Sequence, residues 1–278
     1  MGSTAALYIV ATPIGNLADM VPRGLTILQQ VAVIAAEDTR HSRRLLDHFG
    51  IDTPLVAYHD HSGPQVLAAL RQRWSRGEQV ALISDAGTPL VADPGYRLVD
   101  AAHEDGVRVV PIPGPSAALA ALSASGLPSD RFVFEGFLPA RSTARRQRLR
   151  QLSAEERTLV FYEAPHRLQE TLGDAVAELG PERPATLARE LTKQFETVRR
   201  ATLGALHQWV AEDANQRRGE SVLVVGGARQ VASEAEQQGE RLLRLLLEEL
   251  PLARAAALAA RFSGDRKSRL YQLGLDWQ

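Results

Sequence analysis

The 278 residues contain no cysteine. That excludes a disulfide scaffold, a thiolate metal site and a cysteine nucleophile, and it is compatible with a reducing compartment. Lysine is almost missing: Lys193 and Lys267 are the chain's two lysines, far from the first loop, and neither GxGxxG opening a helix nor GxxxxGK followed by Ser or Thr occurs. These absences argue against NAD and ATP. No charge excess of either sign exists, with 32 Lys plus Arg against 33 Asp plus Glu, so a nucleic-acid role has to come from local patches. The opening apolar run, 7–11, is five residues long without a basic leader, too short for a signal peptide or a membrane span. A soluble intracellular protein is the expectation. What is present, 45% hydrophobic and 23% charged residues, excludes disorder as the main state and suffices for two domains.

Apolar, β-branched runs recur at 7–11, 31–36, 55–58, 80–84 and 107–112; they predict buried parallel strands. Leu67, Leu70 and Trp74 share one helical face before a stop at Gly77. The chain up to residue 115 is therefore an α/β domain. Three prolines punctuate 111–115, an alanine-rich helix follows, and Gly126 with Pro128 closes it. Strands at 131–138, 157–162, 185–190 and 221–227, with a helix over 165–179, predict a second α/β domain over 116–228. Short connections imply some antiparallel pairing. From 229 to 278 the sequence suggests a polar linker (231–240) and a helical appendage with a helix-turn-helix look, or a helical pair that merely packs on its own domain.

The strongest intrinsic signal is where glycine and proline fall. TPIGN (12–16), DAGTPLVADPG (85–95) and PIPGPSAA (111–118) each follow a predicted strand, the place where open α/β sheets present ligand loops. Proline-stiffened bends expose main-chain groups without side-chain cover, which suits an adenosine or amino-acid moiety better than a polyphosphate. One such loop alone is an ordinary strand-to-helix turn; three together point to a site.

Polar residues cluster nearby. In EDTRHSRRLL (37–46), Asp38 or Thr39 can cap a helix carrying Arg40, Arg43 and Arg44 in one turn, either a phosphate grip or a solvated helix start. His59, Asp60 and His61 hint at a metal, but no third ligand stands at a recognisable spacing, so no metal is expected. Residues 131–150 hold six arginines against Glu135, a local charge of +5, as a solvated helix or a backbone contact whose affinity falls with salt. FYEAPHR (161–167) and ARELTKQFE (188–196) place Glu163, His166, Arg189, Glu190 and Lys193 in loops after strands, facing the same cleft.

TPIGNLADM, AEDTRHSRRLL, SDAGTPLVADPG, PGPSA, FEGFLP, FYEAPHR and ARELTKQFE, in this order and spacing from about Leu7 to Gly227, resemble the ribosomal RNA small-subunit methyltransferase I group of the tetrapyrrole methylase superfamily. The resemblance implies two α/β domains of that class with a small helical appendage, forming a homodimer. It further implies S-adenosyl-L-methionine-dependent methylation of a cytidine ribose 2′-hydroxyl in the decoding region of 16S rRNA, within the small ribosomal subunit. By position, the cofactor would touch Pro13, Ile14 and Gly15, then Asp85, Gly87, Thr88 and Pro89, then Ser116 and Ala117, with Tyr162, Glu163, Ala164 and Val225 from the second domain. Members acting on tetrapyrroles usually carry GxGxG in the first loop, where this chain has Ala11, Pro13 and Gly15. That departure fits the RNA-modifying branch.

Methylating a hydroxyl requires in-line alignment and removal of a proton whose unassisted pKa lies far above 7. Glu190, Lys193, Glu37 and Asp38 are the candidate bases, and Arg40, Arg43, Arg145, Arg146 and Arg189 the candidate RNA contacts. Two other classes stay open from the residues alone: a methyltransferase for a small tetrapyrrole, and a non-catalytic RNA-binding factor that keeps the fold.

Overall fold

The structure, a computed structural model, describes residues 5–59, 62–228 and 234–277. Its first sheet contains β1 (Ala6–Val10), β2 (Val33–Ala36), β3 (Leu55–Ala57), β4 (Gln79–Ile83) and β5 (Arg108–Ile112), all parallel, in the order β3-β2-β4-β1-β5. Alternation along β1 explains why both faces are covered. Leu7 enters one apolar cluster with Leu70, Trp74 and Leu98, while Tyr8 and Val10 enter another with Leu28 and Leu46. Helices α1 (Pro22–Gln30), α2 (Thr39–His48), α3 (Pro64–Ser75) and α4 (Tyr96–Glu104) supply those partners. Because β4, β1 and β5 are neighbours, the three proline-glycine loops that follow them converge at one edge of the sheet.

The second sheet is mixed. Helix α5 (Ala117–Ala124) precedes β6 (Phe132–Phe137), α6 (Ser142–Gln151), β7 (Thr158–Glu163), α7 (Leu168–Leu179), β8 (Pro184–Arg189), β9 (Thr197–Thr202), α8 (Leu203–Glu212) and β10 (Ser221–Val225). The order is β6-β7-β10-β8-β9, with β6 and β7 parallel and the other pairs antiparallel. Alanines and leucines of α5 pack on Val160, Val222 and Val224, so this helix belongs to the second sheet. The helix expected over 165–179 starts at Leu168, because a turn closed by Arg167 N–H on the Ala164 carbonyl (3.0 Å) comes first. Strand β9 was not among the expected strands: it is an edge strand whose Arg199 and Arg200 face solvent, and it lacks an apolar run.

The chain forms one compact unit through Gly227 and a second from Ala228. In the second, α9 (Glu234–Leu247), α10 (Leu252–Ser263) and α11 (Lys267–Asp276) close on Leu243, Ala255, Ala256, Ala259 and Leu270. Gly264 ends α10 in the left-handed region (φ 79°), the usual glycine stop. The stretch expected as a polar linker is helical from Glu234, with Arg269 tying Glu240 to Asp265. Among the described residues, no helix is long and apolar enough to cross a membrane.

Candidate active site

The convergent loops are stitched by main-chain bonds. Thr12 N–H donates to the Gly87 carbonyl (2.8 Å) and Gly87 N–H returns the bond (3.0 Å). The Thr12 hydroxyl donates to the Ser84 carbonyl (3.1 Å), and the Thr88 hydroxyl to the Pro115 carbonyl (2.9 Å). Gly87 sits at φ 85°, where a Cβ would press on Ile14 Cγ2 at 3.3 Å, so the bend needs glycine. From the second sheet, the Tyr162 hydroxyl accepts from Ala118 N–H (3.3 Å), while its ring stacks edge-on against Phe134 and Phe137. Between these parts lies a cleft of about 450 Å³, within the size range of small-ligand sites. Its lining holds five carboxylates, Glu37, Asp85, Asp93, Glu163 and Glu220, against one amine, Lys193.

Lys193 spans the mouth. Its stem lies over Gly15 (φ 155°), where any Cβ would collide with Lys193 Cγ, and its ammonium donates to Glu190 Oε1 (3.0 Å) and Glu220 Oε2 (2.8 Å). Partial burial opposes its charge, but the bonds to Glu220 and Glu190 outweigh that and hold its pKa above the usual lysine value. Glu190 Oε1 also accepts from Glu220 N–H (3.0 Å), and it fits because Gly219 (φ 79°) has no side chain. Backbone strain gathers here as well. Among the described residues, the non-glycine positions with positive φ are Leu90, Ala92, Glu190 and Thr192. They flank Val91, Asp93, Leu191 and Lys193 of the lining, and strain of this kind clusters at functional sites.

The structure brings Ile14, Glu37, Asp85, Gly87, Thr88, Ala117, Tyr162, Glu163, Ala164 and Lys193 together around the cleft. Pro13, Gly15, Pro89 and Ser116 belong to the same loops without forming its wall, and Glu190 reaches it through Lys193. Val225 is misplaced by the sequence. Strand β10 runs antiparallel to β7 and β8, so its first residues, Ser221 and Val222, meet the cleft and Val225 is buried at the other end. Glu163 and Arg189 end strands and are buried, not in open loops. Glu163 binds Arg167, Thr171 and Ala164 N–H, and Arg189 donates to Gln216 Oε1 (3.2 Å) and the Arg218 carbonyl (3.0 Å).

Several other expected roles do not fit the geometry, and two arginines keep theirs. Asp38 caps α2, accepting from Arg40 N–H (2.7 Å) and His41 N–H (3.2 Å), and these bonds lower its pKa, which makes it a weak base. A charged Lys193 is not the unprotonated amine a base requires. Arg43 donates to the carbonyls of Ile51 and Thr53 (both 3.3 Å). Arg145 has a side chain 1% exposed and paired with Asp174 and Glu170, so it cannot meet a phosphate. Arg146 is part-exposed but held by Glu178 (2.8 Å), and Arg40 is exposed at the start of α2. Asp60 and His61 of the metal hint lie outside the described residues; no cluster with the makings of a metal site occurs among the described ones. Sequence reasoning missed Asp93 and Glu220, although Asp93 stands inside the quoted loop SDAGTPLVADPG.

A cleft between the carboxyl edge of a parallel sheet and a mixed second sheet, walled by uncovered bends, defines the tetrapyrrole methylase class. The family profile described as Tetrapyrrole (Corrin/Porphyrin) Methylases matches residues 6–207, and one described as RsmI C-terminal HTH domain matches 232–278. The solved structure of cobalt precorrin-4 methyltransferase is similar in fold, with a TM-score of 0.57 at 16% identity over 81% of this chain and 95% of that one. Uroporphyrin-III C-methyltransferase from Thermus thermophilus, solved with S-adenosylhomocysteine, gives 0.53 at 19% identity over 80% of this chain and 97% of that one. Among relatives, ribosomal RNA small subunit methyltransferase I of Pseudomonas aeruginosa is 56% identical over 99% of both chains. The enzyme of that name from Escherichia coli O157:H7 is 54% identical over 99% of this chain and 96% of that one. The chain belongs to the ribosomal RNA small subunit methyltransferase I family.

Proposed function

We propose that this chain transfers a methyl group from S-adenosyl-L-methionine to the ribose 2′-hydroxyl of a cytidine in the decoding region of 16S rRNA, as a cytoplasmic homodimer acting on the small ribosomal subunit. The observation that carries it is the cleft itself, in a chain similar to methyltransferase I along its whole length. A lining of five carboxylates and one amine repels a polyphosphate and attracts a cation such as a sulfonium. Ile14, Ala117, Leu191 and Val222 offer an apolar bed for adenine, while the main-chain groups of 85–88 and Asp85 suit ribose and amino-acid polar groups. The donor, when bound, supplies an electrophilic methyl on sulfur.

Pro13, Gly15, Pro89, Ser116 and Ala164 shape the bends around the donor. Tyr162, anchored on the first turn of α5, fixes the distance between the two walls. Exposed Arg40 and the free edge of Arg146 are the RNA contacts, joined by the equally exposed Arg44 on the same helix as Arg40. Exposed Leu119, Phe137 and Phe195 support association with a second copy. The test is mapping of ribose methylation on 30S particles from cells with and without the protein. Loss of one cytidine mark, restored by purified protein with S-adenosyl-L-methionine, is the expected result. Unchanged rRNA would remove the substrate assignment.

A further inference from the structure

We propose that Asp93 is the general base that takes the proton of the accepting hydroxyl. The proposal deepens the methyl-transfer reading and rests on it. Of the other four carboxylates of the cleft, three are committed by bonds, and Glu37 is the rival that the test below addresses. Asp85 Oδ1 accepts from Asp38 N–H (3.1 Å), Glu163 is held by Arg167, Thr171 and Ala164 N–H, and Glu220 is paired with Lys193 (2.8 Å). Asp93 lines the cleft part-buried, with no ion pair among the described residues. Two left-handed residues in its own loop, Leu90 (φ 72°) and Ala92 (φ 67°), hold it there, and the loop is closed by Gly95 (φ 135°), whose missing Cβ spares Leu82.

A carboxylate accepts a proton best when it lacks a compensating cation. Burial pushes the Asp93 carboxyl above its ordinary value, the neighbouring Ser84 hydroxyl pulls it back, and the charge of Asp85 adds to the rise. The groups that share its cleft are Asp85, Tyr162, Glu37, Glu163, Glu220 and Lys193. Tyr162 is itself raised, by burial first, with the charge of Asp93 contributing. In the step, the ribose oxygen forms the new O–CH₃ bond as the S–CH₃ bond breaks, and that bonding pair stays on sulfur, leaving a neutral thioether. The hydroxyl proton ends on Asp93 and is lost to water on product release.

The test compares wild type with Asp93→Asn and Asp93→Glu by single-turnover methylation of 30S particles across pH. Affinity for S-adenosylhomocysteine is measured by calorimetry and fold by melting. Asp93→Asn should lower the rate by about 10²- to 10⁴-fold and abolish the acid limb of the pH profile, with S-adenosylhomocysteine affinity within about threefold of wild type. Asp93→Glu should keep a limb at a shifted pH. A wild-type rate in Asp93→Asn overturns the assignment, as does loss of S-adenosylhomocysteine binding, loss of fold in both variants, or a Glu37→Gln variant that alone removes the limb. Absence of methylation by the wild-type protein would instead strike the methyl-transfer reading.

Discussion

Arg145 separates a structural arginine from an RNA contact. Its Nε donates to Asp174 Oδ2 at 2.7 Å, Nη2 approaches Glu170 at 3.5 Å and Nη1 the Ala140 carbonyl at 3.4 Å, joining α6 to α7. An Arg145→Met substitution keeps the aliphatic stem but takes the cation from Asp174, whose side chain is 15% exposed and keeps only the Ser142 hydroxyl as a donor (3.0 Å). Removing one partner of a buried pair costs about 3–5 kcal/mol, and the residual hydration of Asp174 favours the lower end. At ~2–4 °C per kcal/mol for a domain of this size, the melting temperature should fall by roughly 6–12 °C. Urea unfolding followed by circular dichroism measures the first effect, and 30S binding against KCl concentration the second. Losing a phosphate contact would reduce the salt slope by about 1; here the slope should stay unchanged. An Arg145→Met/Asp174→Leu double variant should recover part of the loss. A variant that melts normally and shows a shallower slope would refute the structural role.

Gly219→Ala should displace Glu190 from beneath Lys193 and strain the φ 79° backbone, costing about 1–3 kcal/mol by chemical denaturation. Asp93 has a folded pKa raised above the model-compound value of 3.8, so its favourable share of stability is complete below that pH and lost as pH rises through the folded value. Asp93→Asn should therefore melt higher than wild type at pH 7–8, with the gain vanishing below about pH 4. Equal shifts at both pH values would contradict this. Thr88→Val loses the bond to the Pro115 carbonyl, worth about 0.5–1.5 kcal/mol. Calorimetry should then show S-adenosylhomocysteine binding weakened by up to about tenfold.

The strands of the first sheet were legible because each is a continuous apolar run buried on both faces, and the three bends because glycine and proline mark them. Strand β9 was not, since an exposed edge carrying Arg199 and Arg200 has no apolar signature. Val225 shows a subtler limit. The run 221–227 announces a strand but not its direction, and direction decides which end meets the cleft. Arginines mislead in the same way: 131–150 reads as a basic surface, yet Arg145 turns inward to Asp174 and Arg148 spends its guanidinium on Glu135 at 2.8 Å. Asp93 escaped notice because its character comes from burial and from the neighbouring Ser84 and Asp85, assembled by the loop and not by local spacing.

The most direct measurement is a crystal structure of the protein with S-adenosylhomocysteine. The account predicts the ligand in the cleft, against the Gly87 bend on one side and Tyr162 and Val222 on the other, with Asp93 facing the sulfur end. Density at any other surface, or a cleft left empty at saturating ligand, would contradict it.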